Sequence, residues 1–183
     1  MEVVPVYIAL LRAINVGGRN RVPMSALAQL ARDLGFQDVV TWLQSGNLVF
    51  RSPAVSRGQL ETTLETELNR RLAVSTSFVL RTAAEWRDVI EENPFPQQAR
   101  DDPARLHAWI LKGTPNAAAA RSLEKAIRGP ESIRVAGNCA YVYYPEGAGH
   151  SRVTAPLLDR HFGTPGTGRN WNTVLRLGEL SSV

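Results

Sequence analysis

The chain of 183 residues has one cysteine, Cys139. A single thiol excludes an intrachain disulfide and any cysteine-based zinc cluster. Inside the apolar run Cys139–Tyr144 it reads as a small buried hydrophobe rather than a nucleophile. Long apolar runs are missing too, and none approaches the roughly 20 residues of a membrane helix. Histidine is scarce, with three in all. His107, His150 and His161 show no His-x-x-x-His or similar ligand spacing, so no metal is expected. Only His150 beside Ser151, with Glu146 close by, hints at chemistry. Paired carboxylates at catalytic spacing are absent; Glu91-Glu92 and Asp101-Asp102 read as solvated surface. The glycines near the N-terminus lack the lysine–hydroxyl pair of a Walker loop and the spacing of a dinucleotide turn. No cofactor is expected.

Lysine is nearly absent as well. Lys112 and Lys125 stand among 21 basic residues, and the formal charge is +4 with a pI near 9.7. Arginine forks suit phosphate and carboxylate, yet so modest a net charge permits nucleic-acid binding without arguing for it. The apolar content is that of a folded protein. Glu2 leads directly into a strand pattern, without the basic start and cleavage site of a signal peptide. The expectation is a soluble, cytoplasmic protein without a membrane partner, as a monomer or homodimer.

What the chain does have is an opening apolar run, Val3–Leu11, that breaks into Arg12-Ala13-Ile14-Asn15-Val16-Gly17-Gly18-Arg19-Asn20-Arg21 before Pro23 opens a helix. Met24, Leu27, Leu30, Ala31 and Leu34 follow at helical spacing, and Gly35 is a natural stop. Val39–Leu43 and Leu48–Phe50 form a hairpin across Gln44-Ser45-Gly46-Asn47. Ser56 and Gln59 make a capping box for a helix lined by Leu60, Leu64, Leu68 and Leu72, and Phe78–Leu80 is a fourth strand. The order strand, helix, strand, strand, helix, strand is the split βαβ, or ferredoxin-like, arrangement. Thr82 and Glu85 cap an extra helix, and Asn93–Pro103, with three prolines, reads as a linker.

The pattern then recurs. Leu106–Leu111 is a strand and Thr114-Pro115 starts a helix that Gly129-Pro130 ends. Ile133–Val135 and Ala140–Tyr144 flank the turn Gly137-Asn138. Leu157, Leu158 and Phe162 mark another helix stopped by Gly163, Thr164–Thr167 is a short edge strand, and Trp171–Leu180 is a final helix. The fold class is α+β: two tandem ferredoxin-like halves, each an antiparallel sheet with an extra helix. Residues 1–92 form the first half, 93–103 the linker and 104–183 the second half.

Three blocks, Tyr7–Met24 (YIALLRAINVGGRNRVPM), Thr41–Phe50 (TWLQSGNLVF) and Arg169–Val174 (RNWNTV), resemble the signatures of the bacterial domain-of-unknown-function family numbered 1697. The resemblance spans essentially the whole chain and implies a tandem α+β, ferredoxin-like architecture, with no established activity. Two departures stand out. The family usually has glycine where this chain has Ala13. Where it usually reads Ser-Lys-Leu-Thr-Asn, this chain has Ser151-Arg152-Val153-Thr154-Ala155, keeping the charge at Arg152 and losing the amide at Ala155.

Antiparallel order places Arg12–Arg21 and Gln44–Asn47 at the same end of the first sheet. Arg12, Asn15, Gly17, Gly18, Arg19, Asn20, Gln44, Ser45 and Asn47 together offer guanidinium forks, amides, a hydroxyl and backbone N–H groups for an anion. The competing reading is that the amides tie the two loops together through backbone hydrogen bonds. Gly147–Arg152 and Gly168–Thr173 fall at the opposite end of the second half. There Arg169, Asn170 and Asn172 either coordinate an anion or, for Asn170, cap the last helix. Tyr7, Trp42, Trp109, Tyr141 and Tyr143 lie on strands, and Trp109 with Tyr141 and Tyr143 imitates the base-stacking set of RNA-recognition modules without their sequence signature. The leading expectation is therefore binding of a small anionic or phosphorylated ligand. A nucleic-acid module and a ligand-free structural protein are the alternatives.

Overall fold

The computed structural model describes residues 4–15 and 20–182. The chain divides into two compact units, Met1–Arg87 with Leu177–Val183, and Asp88–Arg176.

The first unit is built on β1 (Val6–Leu11), α1 (Met24–Asp33), β2 (Gln37–Trp42), β3 (Asn47–Arg51), α2 (Arg57–Leu72) and β4 (Phe78–Thr82). Its antiparallel sheet has the order β2-β3-β1-β4, the split βαβ order read from the sequence. Strand alternation sends Tyr7, Ala9 and Leu11 of β1 into one core with Leu27 and Leu30 of α1 and Leu60, Leu64 and Leu68 of α2. Ile8 and Leu10, on the opposite face, are also buried. This explains why β1 is apolar on both sides. Ser56 caps α2 as expected: its Oγ accepts from the Gln59 N–H at 3.2 Å, and the Gln59 side chain accepts from the Ser56 N–H.

A third helix, α3 (Ala83–Glu91), follows β4. The Thr82 hydroxyl accepts from the Glu85 N–H and the Glu85 carboxylate accepts from the Thr82 N–H. The boundary between the units falls within α3 and again within the last helix. The segment Asn93–Pro103 is not wholly irregular, because α4 (Pro96–Asp101) occupies its middle. Pro96 sits in the first turn, where a missing N–H carries no penalty.

The second unit repeats the order with β5 (Leu106–Leu111), α5 (Ala117–Ala126), β6 (Ser132–Ala136), β7 (Cys139–Tyr143), α6 (Ala155–Phe162), β8 (Gly166–Asn170) and the start of α7 (Trp171–Leu180). Its sheet order, β6-β7-β5-β8, is the same as in the first unit. Here α5 is capped by Asn116, whose Oδ1 accepts from the N–H groups of Ala118 and Ala119, one step after the expected Thr114-Pro115. Strand β8 runs three residues further than Thr164–Thr167, to Asn170. Leu111, Ala140, Val142 and Tyr144 form a core with Leu123, Leu158 and Phe162.

The duplication extends to register. Ile8 pairs with Arg81 and Val49 in the first sheet; Ala108 pairs with Arg169 and Tyr141 in the second. The N–H of Leu11 bonds the Gly46 carbonyl, and that of Leu111 bonds the Asn138 carbonyl, at 2.8 and 2.9 Å. Each unit thus joins its first strand to its hairpin turn in the same way.

Candidate functional site

At the hairpin end of the first unit, the loop after β1 and the β2–β3 turn are neighbours, as antiparallel order requires. The Asn15 Nδ2 donates to the Gln44 carbonyl at 2.6 Å and to the Val22 carbonyl at 3.1 Å, while its Oδ1 accepts from the Val22 N–H at 2.9 Å. Asn20 Nδ2 donates to the Ala13 carbonyl at 3.3 Å. Asn47 is fully buried, and its Nδ2 donates to the Trp42 carbonyl and the Ser45 hydroxyl. These amides serve main-chain and turn groups, an arrangement that holds two loops in one geometry. The backbone carries matching strain, with left-handed Ala13, Asn15 and Asn20 at φ of 49°, 54° and 49°. Arg12 is half-buried, with its N–H on the Ser77 carbonyl. Gly17, Gly18 and Arg19, part of the sequence-based set, lie outside the described residues.

In the second unit, the block Arg169–Val174 divides by direction. Arg169 is buried on the sheet face opposite α5 and α6, donating to the Thr167 hydroxyl and the Gly168 carbonyl at 2.8 Å each. Burial pulls its guanidinium down to about 10. Arg81 holds the same register position in the first sheet, is equally buried, and donates to its own preceding carbonyl. Asn170 is the N-cap of α7, its Oδ1 accepting from the Thr173 N–H at 3.0 Å. Asn172 is exposed on α7. Arg169, Asn170 and Asn172 thus take three separate directions.

The strand aromatics divide as well. Tyr7 belongs to the helix-packed core. Trp109 packs on the core under α5 and α6, whereas Tyr141 and Tyr143 alternate onto the other face. Tyr141 is fully buried; its hydroxyl donates to the Val89 carbonyl at 2.8 Å and its ring lies 6.4 Å from that of Trp171. Burial pushes that phenol well above its ordinary value. Tyr143 is half-buried and donates to Asp102 at 3.1 Å. The three aromatics that imitate a base-stacking platform do not share a face.

A different cluster emerges between α5 and α6. Helix α5 ends at Ala126, and Gly129-Pro130 turns the chain into β6. On the other side, a 3-10 turn over Ala148–His150 leads through Ser151–Thr154 into α6. These segments enclose a depression of about 520 Å³ with an apolar floor of Leu123, Ile127, Val153 and Leu157. Around it stand Arg128, Arg152, His150 and His161, with Glu131 and Glu146. Leu123 and Ile127, and Leu157 and His161, are i,i+4 pairs, so each helix presents one face to the depression.

The loop is tied from beneath. Ser151 donates its hydroxyl to Glu131 Oε1 and accepts from the Val153 N–H at 2.9 Å. The Val153 carbonyl accepts from Tyr144 Oη at 3.1 Å, which in turn lies 3.3 Å from the donating Trp109 Nε1. Burial raises the Tyr144 phenol to about 12, which keeps it a donor. Burial also lowers the adjacent His107 imidazole, whose ring meets Tyr144 edge-on. A polar chain therefore runs from the sheet to Glu131 at the pocket wall. Sequence reading singled out His150, Ser151 and Glu146 but missed Arg128, Glu131 and His161. Arg128 and Glu131 flank a turn where no periodicity points inward. His161 was visible only as one of three scattered histidines.

Residues 4–141 match the family model described as "Protein of unknown function (DUF1697)". The chain belongs to this family. The matched span ends at Tyr141, before the loop and helix that close the depression. Over 98% of this chain and 99% of the other, the fold is similar to that of the conserved bacterial protein SP0830 from Streptococcus pneumoniae, with a TM-score of 0.75 at 24% sequence identity. No curated protein matches. Among the described residues, no group of three or more His, Cys, Asp or Glu side chains is placed to hold a metal ion. No helix among them is long and apolar enough to cross a membrane.

Proposed function

We propose that this protein binds a small organic anion, a carboxylate or phosphate monoester, in the depression between α5 and α6. The observation that carries this reading is that Arg128 and Arg152 both line a depression of about 520 Å³ with an apolar floor. Cavities of roughly 300–1,000 Å³, mostly apolar with a few convergent polar groups, are the usual form of small-molecule sites. Two guanidinium groups supply planar forks for an oxyanion. The apolar floor takes the ligand body. His150 and His161 add two more nitrogen donors at the rim. The loops of the first unit have a mechanical part in this reading, because the amides of Asn15, Asn20 and Asn47 are engaged on backbone carbonyls and the Ser45 hydroxyl.

The test is a thermal-shift and calorimetric panel of small carboxylates and phosphate monoesters, run on the wild type, Arg152→Gln, Arg128→Gln and Arg12→Gln. Saturable binding that drops at least about tenfold in both pocket variants, and is unchanged in Arg12→Gln, is expected. Binding lost only in Arg12→Gln would move the site to the first unit. A panel without a single binder would leave the structural reading.

A further inference from the structure

The depression holds acid as well as base, and the acid is the better anchored. Glu131 is half-buried, receives the Ser151 hydroxyl on Oε1, and stands at the end of the polar chain through Val153 and Tyr144. The Ser151 hydroxyl, itself held by the Val153 N–H, donates to the carboxylate, which is acceptor-only when ionised. Its second oxygen lies beside Gly129. A Cβ added there would fall 2.0 Å from Oε2, so the glycine leaves room for the carboxylate. Glu146 adds a second negative charge to the lining. Arg128 and Arg152 balance the charges of Glu131 and Glu146 in this lining, so an anion carrying no cation of its own leaves one negative charge uncompensated there.

We infer that the ligand is a zwitterion of the amino-acid kind: its anion is taken by Arg152 and Arg128, its ammonium by Glu131, and its apolar side chain by the floor between α5 and α6. The inference rests on the anion-site reading above and names the ligand class for that same site. Glu131 is the discriminating group, because an ammonium supplies the donor that its Oε2 can accept while balancing the negative charge that the bound anion brings. A site built to hydrogen-bond a donor rejects the analogue that lacks one.

Four compounds of one size separate the terms: phenylalanine, 3-phenylpropanoate without the amine, 3-phenyllactate with a hydroxyl in its place, and 2-phenylethylamine without the acid. Calorimetric titration of the wild type is expected to give phenylalanine at least about tenfold tighter binding than the other three, the differential of one charge-assisted pair. Glu131→Gln keeps an acceptor for Ser151 but removes the charge, and is expected to erase that preference. Gly129→Ala displaces the carboxylate at constant net charge and is expected to do the same, so the result does not hang on one variant folding. Equal affinity for phenylalanine and 3-phenylpropanoate, a preference matched by 3-phenyllactate, or a preference that survives both variants would overturn the zwitterion. If 3-phenylpropanoate still binds in an Arg152-dependent way, the anion-site reading stands without it. If no acid binds, or if Arg152→Gln changes nothing, the anion-site reading itself fails and the zwitterion with it.

Discussion

Gly46 shows how tightly the first unit's two signature loops are matched. It has φ of +77°, and a Cβ there would lie 2.6 Å from both Leu11 Cβ and Ile14 Cδ1. Gly46→Ala is expected to cost more than about 2 kcal/mol in urea denaturation, from left-handed strain and overpacking together. Ala13 is the converse case. The resemblance expects glycine there, and alanine is held at φ of 49°, so Ala13→Gly is expected to stabilise the protein by about 1 kcal/mol. An unchanged or lowered midpoint would show that the loop tolerates alanine without strain. Tyr141→Phe removes the donor to Val89 and is expected to cost about 1 kcal/mol. Residue types at these positions were legible from the sequence, but their directions were not. An asparagine has the same donors and acceptor whether it meets a ligand or a carbonyl, so Asn15, Asn20 and Asn47 read equally well as ligands and as ties. Arg169 carries a charge that suggests a surface site, yet strand alternation opposite Ala108 turns it inward.

At the scale of elements, most of the fold was visible because its punctuation is chemical. The capping boxes Ser56–Gln59 and Thr82–Glu85, and the turns at Gly46 and Gly137, fall where the sequence places them. Helix α4 escaped notice because prolines dominate Asn93–Pro103, and a proline in a first turn looks the same in sequence as one in a loop. Helices α1 and α2 are joined by charge. Arg71 bonds Asp33 of α1 and Glu67 of its own helix, and Arg70 bonds Glu67 at 2.8 Å. Hydrogen bonds from Arg70 and Arg71 hold the Glu67 carboxyl at about 2 against an ordinary 4.5. Those from Arg71 and Gln29 lower Asp33. A carboxyl depressed on folding stabilises the native state above its unfolded pKa and loses that contribution as pH falls through the folded value. The contribution from Glu67 is therefore complete above about pH 5 and declines toward pH 2. Urea midpoints of the wild type and Arg71→Gln are expected to converge as pH drops from 7 to 2. A gap independent of pH would assign the Arg71 effect to packing instead.

Across the whole molecule, the two units share order, sheet topology and register without evident sequence identity. Hydrophobic pattern and turn spacing repeat although the residues differ, which is why the architecture could be read from one sequence. The buried pair Arg81 and Arg169, at equivalent register positions, is the clearest chemical trace of the duplication, and it appears only once strands are aligned. The depression in the second unit was illegible for a related reason. Its wall is assembled from a helix end, a glycine-proline turn, a 3-10 loop and a second helix, and no single window of sequence contains more than a part of it. Arg128, Arg152 and Glu131 all line the depression, and Glu131 is held by the Ser151 hydroxyl. The most direct test is a crystal structure grown with a bound small carboxylate or phosphate monoester. The predicted result is ordered density for the anion against the guanidinium groups of Arg128 and Arg152, with the ligand body on Leu123, Ile127, Val153 and Leu157. Density at the Arg12–Arg21 loop instead, or an empty depression at saturating ligand, would contradict it.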